Sequence, residues 1–123
     1  MVDWLPILTF HTLEDRASVI SFPPCVFQYG MKLLSTHGFQ TISLLEAVDC
    51  LKRQVPFPER SFVLTFDDGY QSVYTEAFPI LRRYAMTATV FPTLGTSRPG
   101  APTSRLTDFL GRTMLSWNEI REM

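Results

Sequence analysis

The chain has 123 residues, of which 46% are hydrophobic and 19% charged, and its net charge is -1. That is enough apolar material for one domain with a core and too little for two. The near-neutral balance excludes a basic surface of the kind that drives nucleic-acid binding, and no apolar stretch approaches the roughly 20 residues that span a bilayer.

Residues 5–10 predict a first strand that ends at His11. Residues 12–24, polar and then proline-bearing, read as a loop. From Val26 to His37 the apolar residues Phe27, Met31 and Leu34 recur at helical spacing, and Gly38 follows as a C-terminal cap. Residues 39–42 alternate as a second short strand. Ser43 and Glu46 form a capping box that opens a helix running to Arg53, which Pro56 and Pro58 close. Residues 61–66 are apolar, β-branched and aromatic, and predict a buried strand. Gly69 breaks it. A helix over 72–84 follows, with Pro79 inside it to kink or divide it. Residues 85–91 predict a fourth strand. Residues 92–113 read as one long loop in which Arg98, Arg105 and Arg112 keep the chain solvated. Ser116 and Glu119 form a second capping box at the start of a last helix.

Strand and helix alternate, so the expected fold is α/β: about four parallel strands with right-handed crossovers and flanking helices. Four strands are too few for a closed eight-stranded barrel, and the last helix has hardly begun at Met123. The chain reads as the first part of a longer domain. Cys25 and Cys50 belong to no CxxC pair, so a cysteine zinc site is not expected, and they read as reduced thiols rather than a disulfide. The N-terminus has no basic segment followed by an apolar core, so no signal peptide is visible and the compartment stays open.

The chemistry gathers at Asp67 and Asp68, which end the third predicted strand. The C-terminal end of a parallel strand is where α/β folds place reactive groups. Two like charges this close call for a cation, a shared proton or open water. An Asp-Asp-Gly turn without chemistry is the plain alternative, and a magnesium site for phosphoryl transfer is another. In a parallel sheet His11 ends its strand on the same face as Asp67, where it lines the pocket, bonds a carboxylate or serves structure alone. His37 lies beside a helix C-terminus, which favours an imidazolium. Tyr70 and Trp117 carry rings that could stack on sugar, although Trp117 also suits packing at the base of the last helix.

Leu64-Thr65-Phe66-Asp67-Asp68-Gly69-Tyr70 resembles the first motif of the polysaccharide deacetylases, the NodB-homology or carbohydrate esterase family 4 group. The likeness extends to Pro6-Ile7-Leu8-Thr9-Phe10-His11, to residues 34–43 (LSTHGFQTIS), to Ala77-Phe78-Pro79-Ile80-Leu81, to Ala88-Thr89-Val90-Phe91 and to Met114-Leu115-Ser116-Trp117. The resemblance implies a partial, distorted (β/α) barrel of TIM-like kind. It implies a metal-dependent hydrolase that removes acetyl groups from N-acetylated amino sugars in a polysaccharide or oligosaccharide. Asp67 would be the general base and Asp68 a ligand to zinc or another divalent ion. Such an ion polarises the acetyl carbonyl and lowers the pKa of bound water from about 15.7 toward 7. His11 and Tyr70 would be pocket-lining or substrate-binding residues.

The family's paired histidine ligands follow the segment that Met114-Leu115-Ser116-Trp117 resembles, and no such pair occurs up to Met123. A catalytic zinc ordinarily takes three protein ligands and a water, so Asp68 alone does not hold it tightly. A non-catalytic relative that binds carbohydrate or protein is therefore the alternative. The open edge and uncovered apolar faces of such a half barrel imply a homo-oligomer.

Overall fold

The computed structural model describes residues 2–95, 104–105 (backbone only) and 108–123. Its centre is one parallel sheet. β1 (Ile7–Phe10), β4 (Gln40–Thr41), β5 (Ser61–Asp68) and β6 (Thr89–Pro92) form it, with β5 in the middle. β1 lies along one edge of β5, pairing Ile7 with Val63 through Phe10 with Phe66. The other edge is shared in succession: β4 pairs with Ser61 and Phe62, and β6 with Thr65 through Asp68. Where β4 leaves off, the Thr87 amide donates to Thr41 Oγ1 at 2.8 Å and ties the two short strands together.

The helices form where their ends are satisfied. α1 (Pro24–Thr36) opens with a proline in its first turn, where the missing N–H costs nothing. It closes on Gly38, whose φ of +78° lets the Phe39 amide reach back to the Leu34 carbonyl at 2.9 Å. The His37 ring adds to this end, with Nδ1 on the Leu33 carbonyl at 2.8 Å. α2 (Leu44–Arg53) carries the Ser43–Glu46 capping box and α4 (Trp117–Glu122) the Ser116–Glu119 box, both complete.

Alternation along β5 sets the core. Phe62, Leu64 and Phe66 are at most 2% exposed and pack under α1 and the helical segment after the strand. There the rings of Phe10, Phe27 and Phe66 meet with centroids 5.1 to 5.8 Å apart. Val63, on the other face, joins a smaller cluster with Ala47 and Phe57.

The predicted helix over 72–84 is divided beside Pro79, as expected, but its first piece is a π-helical turn (Val73–Ala77) ahead of α3 (Phe78–Arg83), and three further segments differ from the sequence expectation. The Phe78 amide bonds the Val73 carbonyl five residues back, and Pro79, which has no amide to give, follows at once. The fourth strand starts at Thr89 instead of residue 85, because Ala85 takes a left-handed φ of 53° while the Met86 amide caps the Leu81 carbonyl. Residues 12–24 are not all loop: β2 (Thr12–Leu13) and β3 (Ser21–Phe22) pair in parallel. Residues 92–113 are not one open loop, since β7 (Leu94–Gly95) pairs with β8 (Ser104–Arg105) and β9 (Asp108–Phe109) with β10 (Arg112–Thr113). Arg98 lies outside the described residues. Both cysteines are free thiols, Cys25 exposed and Cys50 half-buried.

Candidate active site

Because side chains alternate along a strand, the odd residues of β5 face away from the aromatic core. Parallel register then assembles two rows on that face. Thr9 and Thr65 share a hydrogen bond between their Oγ1 atoms at 2.8 Å, with Thr89 on the other side of Thr65. One layer on, at the C-terminal rim, stand His11, Asp67 and Phe91. His11 follows Phe10, the partner of Phe66, and Phe91 is paired with Asp67 itself. All three are open to solvent: the side chains of His11 and Asp67 are 35% and 40% exposed, and Phe91 is 49% exposed. His11 Nε2 lies 3.8 Å from Asp67 Oδ2, an ion-pair distance if the ring is protonated.

Asp68 is held differently. It is the last paired residue of β5, opposite Pro92, and its carbonyl accepts from the Thr93 amide at 2.9 Å. Its φ of 74° is in the left-handed region, which aspartate tolerates better than most residues and which is sparsely used outside constrained sites. Gly69 continues the turn at φ +79°; a Cβ there would sit 2.8 Å from the Pro92 Cα, so the turn fits against β6 only with glycine. The strand therefore ends with two carboxylates in distinct settings, Asp67 beside an imidazole on the open face and Asp68 at the bend.

Tyr70 is 1% exposed. Its backbone bridges to Met114, and its ring stacks on Phe109 at 6.3 Å between centroids. It also borders a polar pocket with Glu14, Gln71 and Arg112. Burial, followed by the nearby Asp68 charge, pushes the Tyr70 hydroxyl above its ordinary pKa. Trp117 begins α4 at 45% exposure.

Arg112 overturns its reading as a solvating loop charge. It is 9% exposed. Its Nε and Nη2 donate to Glu14 Oε1 at 2.7 and 2.6 Å, and its Nη1 donates to the Leu110 carbonyl at 3.0 Å. The Arg112 hydrogen bond holds the Glu14 carboxyl below the ordinary glutamate value of 4.5. Glu14, Arg112 and Phe91 are the residues the sequence reading passed over as site residues. Phe91 was open to discovery from strand period once the register with Asp67 was known. The Glu14–Arg112 pair spans 98 positions and leaves no local signal.

Among the described residues no three His, Cys, Asp or Glu side chains come together as a metal site. Asp68 offers one carboxylate, which suits a divalent ion but does not complete its shell. Among the described residues, too, no helix is long and apolar enough to cross a membrane.

The family model for polysaccharide deacetylase matches residues 54–123, which begin just before β5 and include both aspartates. This chain belongs to the polysaccharide deacetylase family. A Bacillus subtilis (strain 168) protein that carries the family's name, YxkH, is 38% identical over 87 residues, covering 71% of this chain and 31% of its own length. The poly-beta-1,6-N-acetyl-D-glucosamine N-deacetylase of Escherichia coli (strain K12) is 34% identical over 88 residues, covering 69% of this chain and 13% of its own. Among solved structures, IcaB from Ammonifex degensii superimposes with a TM-score of 0.77 at 28% identity, over 96% of this chain and 47% of that one. The chain thus spans less than half the length of each of these relatives. Its parallel strands and helices form part of the NodB-type deacetylase barrel.

Proposed function

We propose that this chain carries the base and one metal-ligand position of a carbohydrate N-deacetylase acting on N-acetylated amino sugars. The single observation that carries the reading is the end of β5: Asp67 stands solvent-open on the face opposite the core, 3.8 Å from His11, while Asp68 is held at the bend beside it. In this reading Asp67 accepts a proton from water as the water oxygen attacks the acetyl carbonyl. The C–N bond then breaks, the amine takes a proton, and acetate and a free amino sugar leave. His11 restrains the Asp67 carboxylate. Phe91, beside Asp67, offers an apolar surface to the sugar ring or acetyl methyl. Zinc or another divalent ion is the expected cofactor, with Asp68 as one ligand and the others from outside the described residues. The E. coli and Bacillus relatives support a polysaccharide substrate, and the E. coli enzyme's name points to β-1,6-linked N-acetylglucosamine as the first one to try.

The test is release of free amine from β-1,6-linked N-acetylglucosamine oligomers by the natural gene product, with and without a chelator. Asp67→Asn is expected to lower turnover by about 100- to 10,000-fold, the usual worth of a general base. Activity that survives both that substitution and the chelator would end this reading.

A second reading, a non-catalytic relative that binds carbohydrate or protein, draws on the lack of a three-ligand cluster among the described residues. It predicts oligosaccharide binding by calorimetry with no amine release, indifferent to chelator. Either reading includes self-association of this chain through the apolar groove that Val73, Phe78, Leu81, Val90 and Met123 border. A monodisperse monomer by light scattering at high concentration would exclude it.

A further inference from the structure

His11 Nε2 and Asp67 Oδ2 stand 3.8 Å apart, too far for a hydrogen bond. Both side chains are partly open to solvent, so neither packing nor a short contact fixes one against the other. Their spacing is then a property of the two backbones that carry them.

Those backbones are joined just beyond the rim. β1 ends at Phe10, and past His11 the chain enters β2 at Thr12. β5 ends at Asp68, and past the bend the chain reaches Ser72, just ahead of the π-helical turn. Ser72 Oγ accepts from the Leu13 amide at 2.9 Å, and it shares a second hydrogen bond with Thr12 Oγ1 at 3.0 Å. Thr12 and Leu13 are each 2% exposed, so water does not compete for these groups. A serine hydroxyl accepts and donates at once, which this crossing requires. An alanine would leave a buried amide without its acceptor. The crossing is also braced on both sides: Thr12 N donates to the Ile20 carbonyl at 3.2 Å, and Gln71 N to the Thr113 carbonyl at 2.9 Å.

We propose that Ser72 is a positioning residue for the His11–Asp67 pair: by joining the chain that leaves β1 to the chain that leaves β5, its hydroxyl sets the spacing of imidazole and carboxylate at the rim. This rests on Asp67 being the general base of the proposed deacetylase. A reacting group misplaced by about 1 Å costs about 100-fold in rate, so a hydroxyl that touches no substrate still bears on turnover.

A double-substitution cycle in the natural gene product tests this. It reads kcat and KM for amine release from β-1,6-linked N-acetylglucosamine oligomers, below the melting midpoint of each variant. Ser72→Ala is expected to lower kcat about 10- to 100-fold with KM little changed. Ser72→Thr, which keeps the hydroxyl, should recover most of that loss. In a His11→Ala background the same Ser72→Ala step should cost less than about twofold, because the spacing it sets no longer includes an imidazole. An equal loss in both backgrounds overturns the proposal, since Ser72 would then not act through His11. A Ser72→Ala enzyme as fast as wild type also overturns it, and if Asp67→Asn is inactive the reading of Asp67 survives. If Asp67→Asn is itself fully active, the reading of Asp67 fails, and with it this one. Where Ser72→Ala does not fold, Thr12→Val, which removes only the second hydrogen bond, takes its place in the cycle and is judged by the same outcomes.

Discussion

Phe66 and Asp67 are neighbours on one strand and inhabit opposite environments. Phe66 is 0% exposed in a cluster of aromatic rings, whereas the Asp67 side chain is 40% exposed beside His11. The even face of β5 is committed to burial and the odd face, at its C-terminal rim, is left open. A single strand thus serves stability with one set of side chains and chemistry with the other. The pleat separates the two, so a change on one face need not disturb the other. The bend after it, Asp68-Gly69-Tyr70, joins the faces, and there backbone strain and burial meet.

Substitutions can break this division face by face. Phe66→Ala is expected to cost about 3–5 kcal/mol, read as a lowered denaturation midpoint, because it empties the centre of the aromatic cluster. Asp67→Asn should leave stability within about 0.5 kcal/mol; a cost comparable to that of Phe66→Ala would show that the open face also holds the fold. At the bend, Gly69→Ala should cost about 1–3 kcal/mol, since the methyl would meet the Pro92 backbone and the φ is left-handed. It should also impair Asp67 and Asp68, so a variant of normal stability and activity would contradict the tight turn. Far from either face, Ser43→Ala removes one half of a capping box and should cost about 1 kcal/mol by chemical denaturation.

The smallest expected effect is on pH dependence. Arg112 depresses the folded pKa of Glu14 below 4.5, so the pair contributes stability that is present above about pH 4.5 and lost as pH falls through the folded value. Melting temperature measured from pH 6 downward should fall less steeply below pH 4.5 in Glu14→Gln than in wild type. Parallel curves would mean that Glu14 gains nothing from Arg112 on folding.

How much was legible beforehand follows from the range of each signal. Both capping boxes, the glycine that ends α1, the division at Pro79 and the strand leading to the aspartates are written within a few residues, and each formed where its local chemistry required. The helical segment after the bend was legible as a helix but not as a π-helical turn. The two small ladders within 92–113 escaped notice because each strand is two residues long. The burial of Arg112 escaped for a different reason: its partner lies 98 positions away, and nothing near Gly111 distinguishes a buried arginine from a solvated one.

Local chemistry alone therefore determined the alternating strands and helices, the helix ends, and the aspartate pair with its family likeness, because propensity, capping and strand period act over a turn or two of chain. Only the tertiary structure decided that Phe91 stands beside Asp67, that Tyr70 is buried against Phe109, and that Arg112 reaches back to Glu14. Those placements depend on strand register and on contacts between distant segments, which packing fixes and neighbouring residues do not encode.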